Sequence, residues 1–107
     1  MGDQTLFGGR IRLLRRSSKL SREQLAERAR ISSNYLGEIE RGEKWPSLEV
    51  IGSLAAALGV SPSDFFDFES EKNSVSELKS KFRSLLENRN LQDIRRAYRI
   101  IKILFEL

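Results

Sequence analysis

The chain is predicted to be all-α, with five short helices closing a compact domain and two further helices able to fold as a C-terminal hairpin. Three observations carry that reading. Apolar residues recur at helical spacing along the chain. Ser or Asn stands before one helical stretch after another, where its side chain can satisfy a free N–H of the first turn. Gly and Pro punctuate the stretches at their ends and starts.

The first helix is expected from about Phe7 or Gly8 to Ser17, with Ile11, Leu14 and neighbouring Leu13 facing inward. Ser21-Arg22-Glu23-Gln24 has the form of a capping box and opens a second helix that runs through Ala29, burying Leu25, Ala26 and Ala29. After a break at Arg30-Ile31-Ser32, with Ser32 as cap, the third helix covers Ser33 to about Arg41 and stops at Gly42. Residues 42–46 read as a turn. Ser47 then caps a fourth helix in which Leu48, Ile51, Leu54, Ala55 and Leu58 repeat at helical spacing before Gly59. Ser61-Pro62-Ser63-Asp64 starts a fifth, leading into Phe65 and Phe66.

Residues 67–74, polar and acidic, read as a linker, which divides the chain into a domain at 7–68 and a helical segment at 69–107. Ser74 to Glu77 forms another capping box, ahead of a helix with Val75, Leu78, Phe82, Leu85 and Leu86 on one face and an end near Asn88. Asn90 caps the last helix, whose stripe runs through Leu91, Ile94, Ala97, Tyr98, Ile101, Leu104 and Phe105.

Composition narrows the chemistry. With no Cys and no His among 107 residues, disulfides, thiol nucleophiles, Ser-His and Cys-His dyads and Cys/His zinc sites are excluded. No cofactor is expected. No apolar run approaches the roughly 18 residues of a membrane span, and MGDQTLFGGR lacks the order of a signal peptide, so a cytoplasmic protein is expected. The net charge of +4 and pI of about 9.8 suit a polyanionic partner, and the charge is regional. Residues 10–41 hold nine Lys or Arg against four acids, whereas residues 64–71 are acidic.

Two helices joined by a three-residue turn cross steeply, which requires a small residue at the crossing and apolar residues locking the corner. Residues 22–41 supply Ala26 for the first and Leu25, Ala29, Ile31, Leu36 and Ile39 for the second. With its flanking residues this segment, LSREQLAERARISSNYLGEIERGEKWPSLEVIGSLAAALGVSPSDFF, resembles the helix-turn-helix domain of the Cro and phage-repressor (Xre) family, and the likeness extends over roughly residues 8–66. The motifs come in the family's order: GGRIRLLRR, LSREQLAERA, IERG, PSLE and ALGVSPSDFF. The resemblance implies a five-helix domain, dimeric on DNA, that regulates transcription by occupying an operator, with the third helix reading the major groove.

Docking of that kind presents the start of the recognition helix to base edges and flanking groups to the backbone. Ser33 and Asn34 are the candidate base contacts, Asn34 having the geometry for adenine; both could instead serve as capping or exposed polar residues. Glu38, one turn beyond Asn34, could accept from a cytosine amino group or repel phosphate. Arg22 stands where the family usually has a phosphate-touching Gln. Tyr35, Arg41 and Lys44 are further phosphate candidates, Tyr35 with the alternative of packing its ring on the domain. Arg30 occupies a turn position that is often Gly in the family. A left-handed backbone there costs about 1 kcal/mol unless the turn is reshaped, and the side chain could approach a phosphate or stay solvated. Trp45 reads as a residue seating the fourth helix or, alternatively, stacking on a base. The resemblance also pairs Arg15 with Glu40 in a structural ion pair fixing the recognition helix.

The C-terminal stripes need a partner surface, and Leu78, Phe82, Leu85, Ile94, Ile101, Leu104 and Phe105 are the candidate dimerisation residues. Pairing with a second copy would set two recognition helices about 34 Å apart on a palindrome. Packing back on the same domain, or docking an anti-repressor or antitoxin-type protein, are the alternatives. For the whole chain the expectation is a DNA-binding regulator, and a repressor. The rival is a protein-interaction module on the same fold; no phosphate-binding Gly loop or metal-ligand cluster supports an enzyme.

Overall fold

The computed structural model describes residues 2–68 and 74–106. They fall into two compact units, divided after Phe68, and every regular element among them is helical. The expected linker lies for the most part in residues 69–73, outside the described residues.

The first unit comprises α1 (Asp3–Ser17), α2 (Arg22–Ala29), α3 (Ser33–Glu40), α4 (Leu48–Leu58) and a 3₁₀ turn at Pro62–Phe66. Its starts follow the capping logic. Ser21 Oγ accepts from Gln24 N at 3.0 Å while Ser21 N donates to Gln24 Oε1 at 2.8 Å, a reciprocal box. Ser32 Oγ accepts from Tyr35 N and Ser47 Oγ from Val50 N, at 3.0 and 3.2 Å. Gly59 ends α4 in the left-handed conformation, φ 68°.

Two elements differ from expectation. α1 begins at Asp3, about one turn before Phe7, with Gly2 as an N-cap that offers no side chain to signal the start; Asp3 is favourably placed against the positive end of the helix dipole. The fifth helix is a 3₁₀ turn, whose tighter winding suits five residues that must bring Phe65 inward. On α1 and α4, Leu13 and Leu48 stay exposed although the periodic reading turned them inward.

One core joins these elements. Phe7 and Ile11 from α1, Leu25, Ala26 and Ala29 from α2, Leu36 and Ile39 from α3, Ile51, Leu54 and Ala55 from α4, and Phe65 are all buried. Burying each large side chain contributes about 1.5–3 kcal/mol. Phe7 is the aromatic hub, with ring centroids of Trp45, Phe65 and Phe66 at 5.2, 5.9 and 5.0 Å. Trp45 thus packs on α1, with about half its surface exposed. Gly8 lets α1 pass close to the end of α3: an added Cβ would run into the carbonyls of Ile39 and Glu40. Arg10 Nε donates to Asp64 O at 2.8 Å and ties α1 to the 3₁₀ turn.

The second unit holds α5 (Val75–Leu86) and α6 (Leu91–Glu106), joined by a short turn in which Asn88 is left-handed. Ser74 Oγ accepts from Glu77 N and Asn90 Oδ1 from Asp93 N, at 3.2 and 2.8 Å. No side chain of either helix is buried. Between them lies an open apolar cleft of about 640 Å³ that includes Phe82, Leu85, Ile94 and Ile101.

Candidate nucleic-acid interface

α2 and α3 meet through a corner that needs an unusual backbone. Arg30 takes the left-handed conformation itself, φ 60° and ψ 41°, so the turn keeps its shape and carries the strain of a non-Gly residue. Ile31 N then donates to Ala26 O at 3.0 Å, closing the helix end. The Arg30 side chain is exposed.

Behind α3, Arg15 meets Glu40 through two bonds, Nε to Oε2 at 2.7 Å and Nη2 to Oε1 at 3.1 Å, both buried. Arg12 Nε reaches the same carboxylate at 3.5 Å, and Arg15 Nη1 donates to Leu20 O at 2.9 Å. The Glu40 hydrogen bond holds the Arg15 pKa above its ordinary value, outweighing the opposing effect of burial. The C-terminal end of α3 is therefore pinned to α1, while Leu36 and Ile39 pin its inner side to the core.

The outer face of α3 presents two rows. Asn34 and Glu38, one turn apart, form the first. Asn34 is exposed and its amide has no partner among the described residues, whereas Glu38 is held by Lys44 at 3.1 Å. That exposed pair is weak, and a ligand can compete with it as it can with the Arg41–Glu43 pair. Ser33, Gly37 and Arg41 form the second row, at successive turns, with Gly37 buried beneath the side chains of Arg22 and Arg41. Ser33 Oγ accepts from Arg22 Nε at 3.1 Å and lies 3.4 Å from Glu23 Oε1, which binds α2 to α3. Arg41 Nε donates to both oxygens of Glu43, at 3.2 and 2.8 Å. This hydrogen bond raises the Arg41 pKa and lowers that of Glu43. Tyr35 packs its ring against the core.

The structure thus brings Arg22, Ser33 and Arg41 to one line and Asn34, Glu38 and Lys44 to another. The sequence alone does not single out Gly37, Glu23 or Glu43 as members of this face. Gly37 had a readable signal, an isolated glycine within an amphipathic helix. The partners of Arg22 and Arg41 had none, since short-range acids abound in the segment.

In the second unit the proposed dimerisation residues lie open to solvent or partly so: Leu78, Phe82, Leu85, Ile94 and Phe105 are exposed, Ile101 and Leu104 half-buried. Among the described residues there is no cluster of acids that could hold a metal, and no helix is long and apolar enough to cross a membrane.

Comparison with known proteins agrees with this geometry. Residues 6–65 match the helix-turn-helix domain family. The immunity repressor of Bacillus phage phi105 is 34% identical over 92 residues, which are 83% of this chain and 62% of the repressor, so the chain spans about three fifths of that relative. Control protein C.BamHI of Bacillus amyloliquefaciens is 42% identical over 64 residues, 59% of this chain and 79% of the relative. The crystal structure of the restriction-modification controller protein C.AhdI of Aeromonas hydrophila superposes with a TM-score of 0.59 at 41% identity, covering 60% of this chain and 97% of that one. With its short left-handed α2–α3 turn, pinned α3 and these relatives, the chain belongs to the helix-turn-helix family of Cro and phage-repressor (Xre) type, a family of DNA-binding transcription regulators and not of enzymes.

Proposed function

We propose that this protein is a sequence-specific transcriptional repressor that binds a palindromic operator as a homodimer, with α3 in the major groove. The observation that carries this reading is the contrast between the two sides of α3. Its inner side is locked by Leu36, Ile39 and the Arg15–Glu40 pair, while its outer side offers Asn34, without a partner among the described residues, and on the second row the cations of Arg22 and Arg41. A rigid helix with one free bidentate amide suits reading an adenine edge, and flanking guanidiniums suit backbone phosphates. Ser33 reaches a base only by exchanging its bond with Arg22, and Glu38 only by releasing Lys44, so Asn34 takes the larger share of base readout. Arg30 and Tyr35 serve as secondary phosphate contacts.

The exposed apolar residues of α5 and α6 supply the dimer contact. A second reading rests on charge: residues 74–106 carry eight Lys or Arg against four acids, which also suits an acidic protein partner of anti-repressor or antitoxin type.

The test is selection of bound fragments from genomic DNA at near-physiological salt, with Asn34→Ala and a chain ending at Phe68 alongside. The proposal expects an enriched palindrome, relaxed specificity in Asn34→Ala by about 1–3 kcal/mol per site position, and weaker binding by the shortened chain. Binding without sequence preference overturns it.

A further inference from the structure

Gly37 is the small centre of the second row on α3, and two arginines close over it. A Cβ placed at Gly37 would lie 2.9 Å from Arg41 Nη1 and 3.1 Å from Arg22 Nη1, so the two nitrogens are no more than about 6 Å apart. Each guanidinium is anchored through its own Nε, Arg22 by Ser33 and Arg41 by Glu43, which leaves the Nη1 groups directed over Gly37 without a protein acceptor among the described residues. Both side chains remain about half exposed.

Two like charges converge here from separate helices. A charged N–H reaches a phosphate oxygen at about 2.8 Å, so donors no more than about 6 Å apart can both reach one phosphate group. A guanine edge offers acceptors but no net charge, whereas a phosphate brings a full negative charge to two converging guanidiniums. Glu43 holds Arg41 at its Nε, and Glu23 lies 3.9 Å from Arg22 Nη2, so neither acid takes the Nη1 groups.

We propose that Arg22 and Arg41 act as a single clamp on one DNA backbone phosphate, with Gly37 as the floor that allows them to meet. The inference rests on the DNA-binding reading, and on nothing about which sequence is read.

Because phosphate contacts are independent of sequence, the probe is a random-sequence duplex of about 25 base pairs, titrated by anisotropy over a range of salt. Each of Arg22→Gln and Arg41→Gln is expected to weaken binding about tenfold. The slope of log K against log salt in the double variant should fall by about 0.9 per bound chain, the share of one phosphate. A fall of about 1.8 means two separate phosphates and overturns the clamp. Gly37→Ala supplies the second measurement. Its methyl meets only the ends of flexible side chains and replaces a helical glycine, so the variant should melt at or above the wild-type temperature yet bind about as weakly as a single arginine variant. Wild-type affinity in Gly37→Ala overturns the proposal. Failure to select an operator leaves these measurements intact and refutes only sequence-specific regulation, whereas failure to bind any duplex refutes both.

Discussion

Glu40 carries its charge into the interior and receives three nitrogen donors there, two from Arg15 and one from Arg12. Removing one member of a buried pair strands the other, so Glu40→Ala is expected to lose about 3 kcal/mol in urea unfolding. Arg12→Ala should lose well under 1 kcal/mol, its side chain being partly exposed and its bond long. The double change Arg15→Met with Glu40→Leu should recover most of the loss, because a well-packed apolar pair avoids the desolvation of two charges. Full loss in the double variant would mean that the pair itself, and not the stranded charge, holds α3. Arg30 is strained in a different way, by backbone alone. Arg30→Gly relieves its left-handed conformation and should gain about 1 kcal/mol, whereas Arg30→Val, branched at Cβ, should lose more than that; equal stability of the three would refute a strained turn.

At the scale of elements the close passage of α1 over α3 decides more than any single contact. Gly8→Ala drives a methyl into the carbonyls of Ile39 and Glu40, and backbone cannot swing aside as a side-chain tip can, so a loss of about 2–3 kcal/mol is expected by thermal unfolding. Gly9→Ala, on the same helix but with open space where the methyl would go, should instead gain up to about 1 kcal/mol. The adjacent pair thus reports on packing and propensity separately. How much of each element was legible in the sequence depends on the range of its signals. Ser21, Ser32 and Ser47 announce α2, α3 and α4 because a cap acts within three residues of itself. Gly2 has no side chain to cap α1, which leaves Asp3 as a weak mark of its start, and the apolar spacing does not distinguish the exposed Leu13 from its buried neighbours. The candidate interface divides the same way. Asn34 could be picked out from its place on α3, but the meeting of Arg22 and Arg41 over Gly37 depends on how α2 crosses α3, which distances along the chain do not encode.

For the whole molecule the question is what the two units do for one another in function. The first has a closed core of its own, so a chain ending at Phe68 should unfold cooperatively and sediment as a monomer. The second exposes Leu78, Phe82, Leu85 and Phe105 on helices with no buried residue, an arrangement that gains stability only when something covers it. If a second copy is the cover, the full chain sediments as a dimer and holds both half-sites at once, and the shortened chain loses about 10²-fold in operator affinity through lost avidity. The charges then set a signature. Each copy brings eight basic and four acidic residues between 74 and 106, so two copies repel, and added salt screens the repulsion. DNA binding responds in the opposite sense, since every neutralised phosphate costs affinity as salt rises. Sedimentation of the free protein should therefore show tighter self-association as salt rises from about 50 mM to about 300 mM, while anisotropy over the same range shows weaker DNA binding. A chain that stays monomeric at about 100 μM in high salt refutes the homodimer, and points to an acidic partner whose binding to the same face would weaken, not strengthen, as salt is added.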